Sequence, residues 1–405
     1  MERHILEQLD PRVLGARLQD ARRERGLTQQ AVADLLGIAR TTLVAIEKGE
    51  RRVLPDELIR LAEIYGRPVS GLVARQALVE GFIPQFRASW KDVFDEDPDL
   101  ENSAGELQRL AEDYLEVEKL CDMPLVRSYP PQYEVSGASA EQIAEEIATS
   151  ERNRLGIGDG PVSNLCERLE NDIGLRIFYF PMASKIAGLF AYNDLLGGCI
   201  GINSSHPRDR RNWSLAHECG HFLTGRYQSE ITFLSEKKRG SLRERIADSF
   251  AKYFLMPASG LNRRFTEMHR SSERGITLAH VCTLADLYQV SVQAMALRLE
   301  ELRRLPSGTW ERLEAGGFKV RSAQQLLGIV ANPPIEHLLP QRYVDLAILA
   351  YREGKLSEGQ LARFLRTDRV AARVQVEKAT HRFNEEGDEN FTSIDLNLAA
   401  QLDGK

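Results

Sequence analysis

The chain has 405 residues, of which 42% are hydrophobic and 28% are charged, enough to bury the cores of about two or three domains. Its formal net charge of -6 excludes a general cationic coat for nucleic acid, so any contact with DNA must be local to one domain. No stretch approaches the roughly 18 apolar residues of a membrane span. The five scattered cysteines form no CxxC pair, which is typical of a reduced compartment. We therefore expect a cytoplasmic protein with free thiols and no membrane contact.

Residues 11 to 75 are expected to form short helices that are separated at glycine and proline. Thr28 is a good N-cap and Gly37 permits a tight turn, so the stretch LTQQAVADLLGIARTTLVAIEKGER (27–51) predicts a helix, a turn and a second helix. Pro55 can open a further helix. Gly26, Gly66 and Pro68 are expected to end helices. The side chains expected to face inward are Leu14, Leu18, Ala21, Val32, Leu35, Leu36, Leu43, Ile46, Leu58, Ile59 and Ala62.

The segment 27–51 resembles the helix-turn-helix of the Xre/Cro/C1 type, in which the second helix reads the major groove of double-stranded DNA. The resemblance implies that Gln29 meets the DNA backbone or the recognition helix, and that Lys48 and Arg51 meet phosphates. The residues expected to face the major groove are Arg40, Thr41 and Thr42.

Residues 1–75 carry 13 basic and 11 acidic residues, a net charge of +2. This is weakly basic for a DNA-binding domain. A homodimer that reads two half-sites of an operator would double the contacts, and we expect one. The alternative is a helix-turn-helix that serves as a protein-interaction module.

The rest of the chain predicts an α+β protein, mainly α with a small β-sheet. Residues 76–145 are polar and partly helical, and are taken as a helical, acidic connector between the first domain (1–75) and the next (146–305). A helical pattern (AEQIAEEIATSERNRLGI) is followed by the β-rich runs LRIFYF, AGLFAY and GCIGIN, and helical periodicity then returns to about residue 305. Residues 306–405 are expected to be a helical region, with two short helices around a turn, an acidic end and no assigned role.

The stretch LAHECGHFL (215–223) contains the pattern HExxH. On a helix, positions i and i+4 lie one turn apart on one face, so the imidazoles of His217 and His221 can bind one metal ion while Glu218 points toward its water. Catalytic zinc sites usually have three protein ligands, so a third ligand is needed. The alternative is a pair of hydrogen-bonded histidines on an ordinary helix.

The stretch SLRERIADSFAKYFLMP (241–257) contains candidates for the third ligand. Glu244 and Asp248 lie on a face of small and acidic residues, where Glu244 can complete the coordination and Asp248 can accept the free ring N–H of a ligand histidine. Glu244 can instead be part of a capping box that begins at Ser241. Glu230 and Glu236 are further carboxylates in reach by sequence.

RDRRNWSLAHECGHFL followed by ERIADSFAKYFLMP resembles the ImmA/IrrE family of zinc-dependent peptidases, over roughly residues 146 to 300. The resemblance implies a zincin-like domain with zinc ligands His217, His221 and Glu244 and with Glu218 as the general base. Asp248 stands where Asn is commoner in that family, and an Asp can accept a histidine N–H at least as well. The sequence does not identify the group that stabilises the oxyanion, and His206, Arg210 and Tyr227 are the nearby candidates.

Together the two halves predict a cytoplasmic DNA-binding transcriptional regulator that carries a zinc endopeptidase. Its protein substrate can be a repressor, a toxin or another copy of the chain, within a stress or mobile-element response. The alternative is an Xre-type transcription factor or antitoxin whose peptidase-like domain is a non-catalytic sensor or interaction module. The two hypotheses separate at Glu218, because only the first requires a general base there.

Overall fold

The computed structural model describes residues 11–25, 27–65, 69, 72, 81–90, 98–136, 139–233, 241–273, 275–329 and 339–385. The predicted helix ends at Gly26, Gly66 and Pro68 and the carboxylate of Glu236 lie outside these ranges, as does the acidic C-terminal end. The chain divides into two compact units, Met1–Gly81 and Phe82–Lys405.

The first unit is helical. Its helices are α1 (Pro11–Glu24), α2 (Gln29–Leu36), α3 (Arg40–Glu47) and α4 (Pro55–Tyr65). Thr28 caps α2 by accepting a hydrogen bond from the Ala31 N–H at 3.1 Å, and Gly37 ends that helix in the left-handed region at φ 71°. Because a side chain at this φ is strained, glycine permits the turn that joins α2 to α3. The predicted helix-turn-helix is therefore present.

Two of the predicted core side chains of the first unit are wrong. Leu35 is 65% exposed and Ile59 is 48% exposed, whereas the other nine predicted positions are buried. At about 100° per residue, Leu35 lies off the stripe of Val32 and Leu36, which are one turn apart and face α3. Leu61 takes the inward position that was assigned to Ile59.

The second unit surrounds one sheet with helices. Its elements are α5 (Phe82–Ser89), α6 (Pro98–Cys121), α7 (Ala140–Arg154), α8 (Leu165–Arg168) with a π-helical turn (Leu169–Ile173), β1 (Arg176–Phe180), β2 (Ile186–Asn193), β3 (Gly197–Asn203), α9 (Arg208–Gly225), β4 (Glu230–Phe233), α10 (Leu242–Leu255), α11 (Ala258–Ser271), α12 (Leu278–Leu287), α13 (Val292–Glu301), α14 (Thr309–Ala315), α15 (Val320–Leu326), α16 (Gln341–Arg352), α17 (Glu358–Phe364) and α18 (Arg369–Glu385). The predicted α+β class is thus confirmed, and the three β-rich runs form β1, β2 and β3.

The sheet has the order β1-β3-β2-β4. Strand β3 pairs in parallel with β1 and antiparallel with β2, and β2 pairs antiparallel with β4. The register between β2 and β4 shifts between Ile186 and Gly188, which places a bulge beside α9. Helix α9 packs on β2 and β3, and α10 packs between α9 and α7. The sheet and these helices enclose the main apolar core.

The segment expected as a connector contributes to the second unit. Helix α6 buries Leu107, Leu110 and Tyr114 fully, and it packs against α16 of the C-terminal region. Glu118 at the end of α6 accepts hydrogen bonds from Arg176 at 2.6 Å and from Arg342 at 3.1 Å. These buried contacts join the sheet, helix α6 and the C-terminal helices. The predicted division into four domains stays a proposal.

All five cysteines are free thiols, as predicted. Within the described ranges, no helix is both long enough and apolar enough to cross a membrane.

Candidate metal centre and DNA-binding surface

Helix α9 carries the three residues of the HExxH pattern into the core. His217, Glu218 and His221 are each at most 1% exposed. Gly220 permits the close approach of α10, because a Cβ at this position would lie 3.1 Å from Cα of Ala247. The small face that the sequence predicts on α10 therefore packs against α9 as expected.

Helix α10 presents a carboxylate to both histidines. Ser241 caps this helix by accepting the Glu244 N–H at 3.2 Å, as half of the predicted capping box requires. The Glu244 side chain turns to the histidines instead, with Oε1 3.1 Å from His221 Nε2 and Oε2 3.6 Å from His217 Nε2. The Glu244 side chain therefore does not complete the capping box, and its carboxylate lies where a third metal ligand is expected.

The ligand atoms of His217, His221 and Glu244 lie within 4.8 Å of one another, and all three residues are buried. The two Nε2 atoms are 3.0 Å apart. His217 Nδ1 is 2.9 Å from Oδ1 of Asp248, which orients the ring so that Nε2 faces the cluster. Two imidazole nitrogens and one carboxylate oxygen are the donor set of a catalytic zinc site, and such a site leaves a fourth position open. The residues present therefore fit a zinc ion.

The protonation of the cluster supports this fit. Burial lowers the pKa of His217, but hydrogen bonds to Asp248 and Glu244 outweigh it and raise that pKa to about 10. Burial raises the pKa of Glu244, but hydrogen bonds to His217 and His221 hold it well below its usual range. The carboxylates thus favour a positive charge at the His217 imidazole. A divalent cation can take the place of that proton.

Glu218 lies beside the cluster without a hydrogen-bond partner for either carboxylate oxygen in the described chain. Burial raises its pKa to about 7, against the attraction of His221 and His217. A carboxyl with a pKa near neutrality can both take and return a proton, as a general base must. Gly188 in the β2 bulge leaves the space for it, because a Cβ there would lie 2.4 Å from Glu218 Oε1.

Gly188→Ala is expected to displace the Glu218 carboxylate while His217, His221 and Glu244 keep their places. Because a misplacement of about 1 Å can cost about 100-fold in rate, we expect a loss of this order in peptide hydrolysis by the zinc-loaded protein with its zinc content unchanged. Gly160→Ala is the matched control, since a Cβ at Gly160 meets no atom within 4 Å. Equal rates for both variants would contradict the close packing of β2 on Glu218.

A cleft of about 560 Å³ opens on the side of His217 and Asp248. Arg210 lines this cleft, whereas Tyr227 is 73% exposed and contacts the Tyr192 ring. His206 is buried, with Nε2 3.1 Å from the Ser184 carbonyl oxygen. Of the three oxyanion candidates, the structure thus brings only Arg210 to the cleft.

Glu230, the other described carboxylate considered as a ligand, begins β4. Burial raises its pKa, and the charges of His221 and Glu244 act on it. Glu230 is therefore near the centre, but it is not one of the three residues whose ligand atoms cluster.

The candidate DNA-binding surface lies on α3. Arg40, Thr41 and Lys48 are exposed and Thr42 is half-buried, whereas Leu43 and Ile46 are buried against the rest of the unit. The polar residues predicted to face DNA are thus on the outer side of this helix.

The two remaining predicted DNA contacts have partners within the first unit. Gln29 Nε2 donates to Glu47 at 2.8 Å, so it contacts the recognition helix, one of the two roles foreseen for it. Glu47 is also held by Arg22 at 2.6 Å. Arg51 forms a two-pronged ion pair with Glu57 at 2.9 and 3.0 Å, which competes with a phosphate contact.

Substitutions on α3 and in the turn after it should distinguish contacts that read the base sequence from contacts that only attract the phosphates. On DNA selected from a random pool by the full chain, we expect Arg40→Ala to weaken binding by about 1–3 kcal/mol and to relax the base preference. Lys48→Ala should weaken binding to all DNA sequences. It should also reduce by about 1 the slope of the logarithm of the binding constant against the logarithm of the salt concentration. Arg51→Ala is the comparison, with a smaller change of slope because Glu57 neutralises the guanidinium. Unchanged binding by both Arg40→Ala and Lys48→Ala would place the DNA elsewhere.

The helix-turn-helix and the buried HExxH centre define a helix-turn-helix protein with a metallopeptidase-like domain. Residues 18–72 match the model of the helix-turn-helix family, and residues 170–300 match that of the IrrE N-terminal-like domain, peptidase family M78. The chain therefore combines an Xre-type helix-turn-helix domain with an IrrE-like domain, and both resemblances found in the sequence are confirmed.

One curated relative matches a stretch of 62 residues of the chain. The chain is 34% identical over 62 residues to the cryptic phage CTXphi transcriptional repressor RstR from Vibrio cholerae, which is 15% of this chain and 56% of that repressor. The chain thus spans about half the length of this relative. Among solved structures, ComR from Streptococcus suis aligns over 94% of this chain and 97% of its own length, at 10% identity and a TM-score of 0.16, too low to show a shared fold.

Gly188 and the apolar residues of the cleft were not predicted from the sequence. Gly188 is 30 residues from Glu218 and approaches it only through the packing of β2 on α9. Trp213 precedes His217 by one helical turn, and this spacing could have placed it beside the metal centre.

Proposed function

We propose that this protein is a DNA-binding transcriptional regulator with a zinc-dependent endopeptidase in its second unit. The observation that carries the proposal is the buried cluster of His217, His221 and Glu244 with the unpartnered carboxylate of Glu218 beside it, at the end of an open cleft. A structural zinc site is usually closed by four protein ligands, and the cluster has three. A centre of this composition next to a cleft favours catalysis.

When bound, zinc would act as a Lewis acid that lowers the pKa of water and polarises a carbonyl group. In the mechanism we propose, Glu218 takes a proton from the attacking water and returns it to the amine that leaves. Asp248 holds the His217 ring through the Nδ1 contact, and the surrounding apolar core excludes bulk water from the Glu218 carboxylate. Of the cationic side chains that line the cleft, we propose that Arg210 stabilises the oxyanion.

The helix-turn-helix supports regulation of transcription, since the matched relative is itself named a transcriptional repressor. We propose that two copies bind an operator as a homodimer and that the protein acts in the cytoplasm. Proteolysis of a repressor, a toxin or another copy of the chain would then change transcription of the regulated genes.

The test is to incubate the purified, zinc-loaded protein alone and with the proteins encoded beside its gene, with and without its selected DNA. The expected result is cleavage of one of these proteins, which a chelator stops. If the zinc-loaded chain cleaves none of them and Glu218→Gln leaves transcription of the target unchanged, the second unit is a non-catalytic sensor or interaction module.

A further inference from the structure

The cleft beside the metal centre has an apolar pocket of its own. Trp213 on α9 is half-buried, Leu297 on α13 is 43% exposed, and Met256 at the end of α10 is 1% exposed. Ala294 lies one turn before Leu297 on the same face of α13. All four line the cleft together with His217.

The position of this pocket relative to the centre follows from α9. Trp213 precedes His217 by four residues, so the indole lies one turn from the ligand imidazole on the same helix face. A group that occupies the pocket therefore lies beside the ring of His217, one of the three residues of the cluster.

Several of the charged side chains that line the cleft are paired with one another. Glu301 receives a hydrogen bond from Lys252 at 3.0 Å and lies 2.9 Å from Arg298. Asp248 is engaged with His217. Asp209 and Arg210 line the cleft as well, and the exposed face of Leu297 and the indole of Trp213 are the parts of the lining that offer apolar contact to a bound side chain.

We propose that Trp213, Met256, Ala294 and Leu297 form the specificity pocket of the peptidase, and that it takes one large apolar side chain of the substrate, such as leucine, next to the cleaved bond. This inference rests on the proposed function, because it presupposes a zinc ion at the centre. It limits the substrate class to polypeptide segments whose apolar side chain is accessible, such as an unfolded linker or the edge of a locally opened domain.

The experiment compares two zinc-binding probes, N-acetyl-leucine hydroxamate and N-acetyl-alanine hydroxamate, by calorimetry on the zinc-loaded full chain. Both carry the same chelating group, and only the side chain differs. We expect the leucine probe to bind about tenfold more tightly, since three more apolar carbons enter the pocket.

Leu297→Ser and Ala294→Phe, one opening the pocket wall and the other filling the pocket, should remove the preference for the leucine probe and keep affinity for the alanine probe. Leu287→Ser is the matched control, because Leu287 is 41% exposed on α12 and does not line the cleft. Leu297 is exposed, so its substitution should leave the unfolding temperature unchanged.

The outcomes separate the two proposals. Zinc-loaded protein that binds both probes equally, or neither, overturns the specificity pocket and leaves the zinc centre standing. A preference that Leu287→Ser removes as well overturns the assignment to Leu297. A chain that holds no zinc when zinc is supplied overturns the proposed function, and the pocket inference with it.

Discussion

Wild-type protein supplied with zinc is expected to hold about one ion per chain, and Glu244→Ala and His217→Ala are expected to lose it. Each substitution removes one of three protein ligands, so the affinity should fall by more than the roughly 10- to 100-fold that is typical when a residue supporting a ligand is changed. Asp248→Ala, which releases His217 Nδ1, should fall within that smaller range. The measurement is metal content by atomic emission after dialysis, with affinity from competition against a chromogenic chelator.

The control for this experiment is Glu230→Gln. Glu230 is a partly buried carboxylate near His221 and Glu244, but its ligand atoms are not in the cluster. If its loss removed zinc while Glu244→Ala kept it, the third ligand would be Glu230. Zinc retained at full affinity in His217→Ala would reduce HExxH to a hydrogen-bonded helix face. Thermal unfolding of each variant distinguishes loss of the ion from loss of the fold.

Glu218→Gln is expected to stop peptide hydrolysis while zinc stays bound. General-base catalysis contributes about 100- to 10,000-fold to rate, and glutamine cannot take a proton. Both Glu218 oxygens are buried without a partner in the described chain, so a neutral amide should not destabilise this position. We expect an unfolding temperature equal to or above that of the wild type, together with a wild-type zinc content and loss of hydrolysis.

Glu170→Gln is the matched control for that substitution. The Glu170 carboxylate is also buried, at 2% exposure, but it lies away from the centre and accepts a hydrogen bond from Tyr114 at 2.7 Å. An amide oxygen can accept the same hydrogen bond, so hydrolysis should persist. Full activity of Glu218→Gln would show that another group is the base, and we would then look to Glu230.

The elements of the first unit were predictable because their signals are local. A threonine N-cap, a left-handed glycine and apolar residues at helical spacing act within one or two turns, and the structure has Thr28 and Gly37 in those roles. The two errors, Leu35 and Ile59, arose because both are apolar residues beside a true inner stripe. Which of two adjacent apolar side chains faces the core depends on where the neighbouring helix packs, which the spacing leaves open.

The metal centre was also predictable only in its local part. The i and i+4 spacing on one helix places His217 and His221 together whatever the rest of the chain does, so the sequence alone determined this pair. It also narrowed the third ligand to a few carboxylates, and the family resemblance favoured Glu244. The choice between capping and ligation could not be made from sequence, because it depends on the distance between α9 and α10. The structure shows that Glu244 is capped through its backbone and faces the histidines through its side chain.

Only the tertiary structure decided what surrounds the centre. Gly188 and Leu297 are far from His217 in sequence, and they reach the centre or its cleft only through the packing of distant elements. The packing of the segment 76–145 was also decided by the tertiary structure. Its polar composition predicted a connector, whereas its helix α6 buries an apolar side against the C-terminal helix α16. The sequence determined the chemistry that is held within single helices, since short-range spacing is enough for it. Packing between distant elements determined the shape of the cleft, the isolation of Glu218 and the extent of the second unit.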